Sequence, residues 1–277
     1  MEAMIWVVGA VAIDLIAVRE KFLEGTSNPS DIKLALGGVG YRIFSNISAP
    51  KRFITALGAD HISKWAREAL EADGDVSLQV MSGGDAGPPL YLALMESGNL
   101  KMAASDFRIV EQALSADFVL NRLGDLGRKD FLVLDANLSP RLLAGLVGRY
   151  AEGTRVVFEP VSVEKARRHA ESLHDLYLLT PTQEEINALA EDIPVFMAER
   201  RILNILVTRG SEGACLYTAG AREDFSPSMV VKAQDSTGAG DLLLAALLSR
   251  LHEGEEMTAA VRASMIFVEE GLERGAL

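Results

Sequence analysis

Phe131-Leu132-Val133-Leu134, then Pro140–Tyr150, then Val156-Val157-Phe158, form a short apolar run, an amphipathic stretch and a second short apolar run. Apolar side chains at successive positions, instead of alternate ones, are what a parallel strand covered on both faces requires. The same rhythm extends outward in both directions. Further strands are expected at Ile5–Val8, Phe53–Leu57, Tyr177–Leu179 and Ile205–Val207. Helices are expected at Ile62–Ala72, at Val163–Leu173 opened by Ser162, at Gln183–Ala190 and at Val195–Leu203. This alternation predicts an α/β fold: a doubly wound, mainly parallel sheet with helices on both faces. Such sheets bind ligands at the carboxyl ends of their strands, so chemistry is sought there.

Two early segments break the rhythm, Leu15–Leu36 and Val76–Ser105. The second reads as extended strands at Tyr91–Met95 and Leu100–Ala103, joined by the turn Glu96-Ser97-Gly98-Asn99. Both are expected to be antiparallel material, either an edge hairpin or a small β-lid that keeps water from the site. No repeat, low-complexity run or linker interrupts the chain, which is expected to form a single domain over residues 1–277.

The 277 residues are 49% hydrophobic and carry a formal net charge of −12. That charge argues against a nucleic acid polymer as partner, while a nucleotide can still be met locally by N–H groups and a metal. Met1-Glu2-Ala3-Met4 lacks a basic start and the apolar runs are too short to span a bilayer, so a cytoplasmic protein without membrane contact is expected. The single cysteine, Cys215, sits in the apolar run Gly213–Tyr217 and reads as an inert core thiol. His61, His169, His174 and His252 lack metal-ligand spacing and read as surface residues.

The stretch Asp235-Ser236-Thr237-Gly238-Ala239-Gly240-Asp241 runs directly into Leu242–Leu248. A Gly-rich turn opening a helix leaves backbone N–H groups unpaired at the positive end of the helix dipole, an anion site made of backbone. A carboxylate at Asp241 would repel a phosphate, but it makes sense as acceptor of a proton from an attacking hydroxyl. Phosphoryl transfer to an alcohol needs both parts together. An ordinary capped turn is the structural alternative.

Other positions also carry two readings. Asp14, after the first strand, can accept hydrogen bonds from substrate hydroxyls or serve a turn. Gly37-Gly38-Val39-Gly40 precedes a helix expected to reach about Ser48; it suits a phosphate cradle or a close backbone approach to a neutral substrate. Thr182 and Glu185 satisfy a capping box, and Glu185 can alternatively hold magnesium through water. Thr208-Arg209-Gly210-Ser211-Glu212-Gly213 suits a nucleotide contact or a plain hairpin. No Walker A pattern occurs, so a kinase here would work without a P-loop lysine.

Taken in order, these pieces resemble the ribokinase-like (PfkB) family of carbohydrate and nucleoside kinases over nearly the whole chain. Asp235–Asp241 is close to that family's DTxGAGD signature, and Gly37-Gly38 is its second mark. Ser27-Asn28-Pro29, Tyr91–Leu94, Ala104-Ser105-Asp106, Asp135-Ala136-Asn137 and Glu159–Lys165 resemble the pseudouridine kinases within it. The resemblance implies an ATP- and Mg2+-dependent kinase for a ribose-type hydroxyl of a nucleoside or sugar, pseudouridine first. It implies Asp241 as base, with Gly238, Ala239 and Gly240 beside it as the anion hole. It implies Asp14, Gly38, Val39 and Arg42 as acceptor contacts and Glu185 as the magnesium residue. Thr208, Gly210, Gly213 and Asp235 would line the nucleotide pocket, and the lid would pair with a second subunit in a homodimer. Two positions depart from the family, Arg42 and Thr182, where asparagine is usual. Relatives commonly continue past this motif further than Leu277, which leaves a monovalent-cation site open. A fixed cation at Arg42 favours an acceptor carrying an anionic group. A different sugar or nucleoside as acceptor, or a non-catalytic ligand-binding descendant, are the alternatives.

Overall fold

Continuously apolar runs become central strands, because only there are both faces of a strand covered. The structure is a computed structural model and describes residues 3–81, 87–228 and 238–274. The chain begins with β1 (Ile5–Val8), β2 (Ala12–Arg19), β3 (Asp31–Gly37), α1 (Val39–Asn46), β4 (Lys51–Gly58), α2 (His61–Ala72) and β5 (Val76–Met81). It continues with β6 (Leu90–Glu96), β7 (Asn99–Asp106), α3 (Arg108–Ala113), α4 (Ala116–Leu123), β8 (Phe131–Asp135), α5 (Pro140–Tyr150), β9 (Arg155–Glu159) and α6 (Val163–His169). After β10 (Leu178–Leu179) come α7 (Gln183–Leu189), α8 (Ile193–Arg200), β11 (Asn204–Thr208), β12 (Ala214–Thr218), β13 (Ala221–Phe225), α9 (Ala239–His252) and α10 (Met257–Glu273).

Among the described residues nine strands form the main sheet, in the order β13-β12-β11-β10-β9-β8-β1-β4-β5. Its pairs are parallel except β11–β12 and β12–β13. Side chains of one strand alternate between the two faces. Trp6, Val8, Leu132 and Leu134 enter a cluster with Leu143 and Val147 of α5 and Ile109 of α3. Ile5, Val7, Phe131 and Val133 enter a second cluster with Phe44 of α1, Leu70 of α2, Leu247 of α9 and Val261 of α10. The sheet is thus doubly wound, and each such fully buried side chain contributes roughly 1.5–3 kcal/mol. Caps set the helix starts: Ser139 Oγ accepts from Leu142 N–H ahead of α5, and Ser162 Oγ from Lys165 N–H ahead of α6. Helix α6 is shorter than the sequence pattern predicts. It ends at His169 and a single 3₁₀ turn carries the chain on, turning Leu173 and Leu176 into the core.

The lid is a separate four-stranded sheet, β3-β2-β6-β7. Val76–Met81 is not lid but the parallel edge strand β5, whose Val76 and Leu78 pack on the core while Val80, on the same face nearer the strand's end, is more open to solvent. The lid strands therefore span Ala12–Gly37 and Leu90–Asp106. The central pair β2–β6 is parallel, and β2–β3 and β6–β7 are antiparallel.

Register divides the lid into two faces. Leu34, Leu15, Leu92 and Ala104 lie in one row, and Ile32, Ala17, Leu94 and Met102 in the next. Paired residues share a face, so these two rows form an apolar patch on it. Ile32 (69%), Leu34 (51%), Leu92 (46%) and Met102 (64%) on it are open to solvent. Asp14 belongs to the opposite face. Among the described residues no helix is long and apolar enough to cross a membrane.

Candidate active site

The carboxyl ends of β1, β8, β9, β10 and β11 and the amino end of α9 converge on one edge of the main sheet. Asp241 lies in the first turn of α9, half-buried, and Gly238 opens that helix at φ +87. That left-handed turn is cheap only for glycine. It leaves the N–H groups of Ala239, Gly240 and Asp241 without intrahelical acceptors. Asp241 and Gly240 share a cavity of about 60 Å³ with Glu159, Thr180, Thr182 and Thr208. Burial pushes the Asp241 carboxyl up to about 7; Arg42 pulls it down, and Asp135 and Asp14 push it up.

Asp14 is not in a loop but in strand β2 of the lid, 3% exposed. Arg42 Nη2 donates to its Oδ2 at 2.7 Å. The Asp14 carboxyl is raised by burial, against the lowering effect of Arg42. A Cβ on Gly37 would lie 2.0 Å from Asp14 Oδ2, so the carboxylate rests where only a glycine leaves room. Gly38, at φ +88, explains itself the same way, since a Cβ there would lie 2.6 Å from the Ala12 nitrogen. Val39 opens α1, and its side chain packs against the core.

Asp135 ends β8 fully buried and organises this corner. Its Oδ2 accepts from Ala10 N–H at 2.8 Å and Gly40 N–H at 3.0 Å, and its Oδ1 accepts from Asn137 N–H at 2.8 Å. Burial raises its pKa despite those bonds. Lys165 donates to Asn137 Oδ1, and its ammonium lies 4.8 Å from the centre of the Phe107 ring. Glu159 ends β9, receives a hydrogen bond from Thr180 Oγ1 at 2.6 Å, and has its pKa held well above the usual range by burial. The neighbouring Glu185 and Asp241 carboxyls push it further. Val161, two residues on, sits at φ +66, a strained setting for a β-branched side chain, with its N–H on Glu159 Oε1 at 3.2 Å.

Glu185 is placed as its capping box demands. Thr182 N–H donates to Glu185 Oε2 at 2.8 Å, and Glu185 N–H to Thr182 Oγ1 at 3.3 Å. Its pKa is raised by burial, and its charge reaches Glu159. Thr208 lines the cavity, and Gly210 and Gly213 form the β11–β12 turn that follows it. A Cβ on Gly213 would lie 2.0 Å from the Phe225 carbonyl oxygen, which accounts for that glycine without a ligand. Asp235 lies outside the described residues. Among the described residues no three His, Cys, Asp or Glu side chains are grouped to hold a metal. His169 is buried, not on the surface, with Nε2 3.1 Å from the Ala136 carbonyl oxygen. Cys215 is buried and free, as its strand pattern predicts.

Sequence reasoning did not single out Asp135 and Glu159 for roles of their own. The signal was present: each is the acidic residue that closes a continuously apolar run, at the sheet edge where ligands bind.

Residues 2–265 match the model of the pfkB family carbohydrate kinases. The Escherichia coli pseudouridine kinase is 23% identical over 92% of this chain and 86% of its own length. The Bacillus subtilis ribokinase is 23% identical over 93% of this chain and 89% of its own. The solved ribokinase of Thermotoga maritima superposes with a TM-score of 0.83 at 20% identity, covering 99% of this chain and 94% of that one. This chain belongs to the pfkB family and is a sugar or nucleoside kinase.

Proposed function

We propose that this pfkB-family kinase transfers the γ-phosphoryl group of ATP to a ribose-type hydroxyl, with pseudouridine as the first acceptor to test. The observation that carries it is Asp241 in the first turn of α9, beside backbone N–H groups that lack intrahelical acceptors and within electrostatic reach of Asp14 and Arg42. The acceptor oxygen attacks the γ-phosphorus and its proton passes to the Asp241 carboxylate. The bond from phosphorus to the β–γ bridging oxygen breaks, and its electron pair leaves with ADP. A carboxylate with a pKa near 7 is matched to that proton transfer at neutral pH. The N–H groups of Ala239, Gly240 and Asp241 face the charge that develops on the transferring group. Thr208 is our candidate for a nucleotide contact from the cavity wall. The pseudouridine assignment is supported by the similarity to the E. coli enzyme and by the motifs shared with that group.

A magnesium ion suits Glu159 and Glu185, two carboxyls whose ionisation burial disfavours and which a nearby divalent cation would relieve. When bound it would screen the phosphate oxygens during transfer. Two carboxylates with phosphate and water ligands are enough for this ion, which rarely takes an all-protein cage. We assign the apolar lid face of Ile32, Leu34, Leu92 and Met102 to a second copy of the chain, since large exposed apolar patches mark interfaces. A reducing cytoplasmic setting suits the lone, buried Cys215.

The test is ADP release from ATP and Mg2+ with pseudouridine, uridine, ribose and ribose 5-phosphate. Faster release with pseudouridine supports the full reading. Faster release with another member keeps the kinase and replaces the acceptor, the outcome favoured if Arg42 on Asp14 Oδ2 displaces a hydroxyl contact. Nucleotide-induced stabilisation without ADP formation would mark a binding protein instead.

A further inference from the structure

Arg42 is the residue for which the proposed mechanism has so far found no task. Its guanidinium stands where three parts of the site meet. Nη2 holds Asp14 Oδ2 at 2.7 Å, and its charge acts on the Asp241 carboxyl. On the third side Nη1 lies 3.3 Å, and Cδ 3.6 Å, from the position a Cβ would take on Gly238. The guanidinium therefore packs against the residue that opens the anion hole. Among the described residues it donates one hydrogen bond, the one to Asp14, out of its five N–H groups.

Charge decides what the remaining donors are for. Two carboxyls, Asp14 in direct contact and Asp241 within electrostatic reach, already share this one guanidinium, and Asp135 adds its charge at Asp241, so an acceptor bringing its own anion would add to an excess of negative charge. A phosphoryl group held at the start of α9 would be offset by backbone N–H groups and, with Nη1 3.3 Å from the Cβ position of Gly238, would come within reach of the guanidinium.

We propose that Arg42 is a catalytic residue, a guanidinium clamped by Asp14 so that its free edge meets the γ-phosphoryl group as that group crosses from ATP to the acceptor. The proposal rests on the kinase reading above. Bond changes are those already given, and Arg42 exchanges no proton, since a guanidinium stays charged throughout. Asp14 then has two duties, Oδ2 to orient Arg42 and Oδ1 to accept one acceptor hydroxyl. The donor acts mainly on charge that builds up during transfer, so the nucleotide ground state gains little from it.

The experiment compares wild type, Arg42→Gln and Arg42→Lys for binding of ADP with Mg2+, and of the same mixture with tetrafluoroaluminate as mimic of the transferring group. Melting temperature checks the fold, and the lysine variant, which keeps the charge, serves if the glutamine variant does not fold. Expected is unchanged ADP affinity within about twofold, and loss of about 10²–10³-fold in the aluminate complex on removing the donor, as for other charge-stabilising donors. Lysine should recover part of it. Equal weakening of both complexes, or of neither, overturns the proposal while leaving the kinase reading in place. Failure of the wild type to bind ADP at all removes both. In turnover, Arg42→Gly should regain activity with added guanidinium ion; an Arg42→Asn enzyme faster than wild type on neutral nucleosides would also sink the idea.

Discussion

Lowering the pH from 8 to 6 is expected to cut kcat/KM about tenfold, through the single carboxyl of Asp241. With its pKa at about 7, roughly nine tenths of it is ionised at pH 8 and about one tenth at pH 6. An ordinary aspartate would stay ionised over that whole range and give a flat profile. The assay is the initial rate of ADP release at low acceptor concentration in overlapping buffers, because kcat/KM reports the free enzyme's groups. The same burial leaves a thermodynamic trace. A carboxyl whose pKa is raised in the folded state stabilises the fold below its unfolded value, here near 3.8, and that contribution is lost as the pH climbs through 7. The loss is at most roughly 4 kcal/mol, less to the extent that solvent reaches the half-buried group. Asp241→Asn, which cannot ionise, should lack this decline in urea unfolding between pH 4 and 7 and should turn over about 10²–10⁴-fold more slowly. A kcat/KM that is flat from pH 5.5 to 8, or an Asn variant with the stability profile of the wild type, would refute the reasoning.

Glu185→Gln keeps the capping box, which accepts either residue, but removes the charge; the magnesium concentration for half-maximal activity should rise about tenfold with the melting temperature unchanged. An unaltered magnesium dependence would leave Glu185 a structural residue only. Gly37→Ala puts a methyl 2.0 Å from the present position of Asp14 Oδ2, so the carboxylate must move; the acceptor KM should rise while the ATP KM holds, and equal changes in both would contradict the assignment of Asp14 to the acceptor. Light scattering at micromolar concentration should find a dimer that Leu34→Lys with Met102→Lys reduces to a monomer. A monomeric wild type would remove the lid interface from the proposal.

The main sheet was legible because its strands are buried on both faces and carry no alternation to mislead: Phe131–Leu134 and Pro140–Tyr150 read directly as strand and helix. Edge elements were less so. Val76–Met81 alternates as an edge strand must, and the same alternation suits a lid, so only the pairing with β4 decides its sheet. The position of Asp14 beyond the first strand can be read from the sequence, but that β2 carries it into another sheet depends on long-range pairing with β6. The turn and carboxylate at Gly238–Asp241 announced themselves through local chemistry. Asp135 and Glu159 show their place locally, each closing an apolar run, but their partners, 95 and 125 residues away for Asp135 and 21 for Glu159, are set by the fold and not by the local pattern.

Asp14 is carried by the lid, Arg42 by α1 and Asp241 by α9, so the 2.7 Å ion pair between Asp14 and Arg42 crosses from the lid onto the main body. The two halves of the site are therefore inherited on different scaffolds. On the proposed roles, substitutions at the solvent-facing positions of β2, β3, β6 and β7 reshape what the acceptor meets and leave the turn at Gly238 untouched, whereas Ile13, Leu36 and Leu90 at the foot of the lid belong to the same apolar cluster as Leu243 and Leu247 of α9 and tie the two together. On that reading a lineage built this way can exchange acceptors by drift at the outer lid positions, with the proposed phosphoryl-transfer machinery held constant, and Arg42 stands at the seam where the two histories must agree.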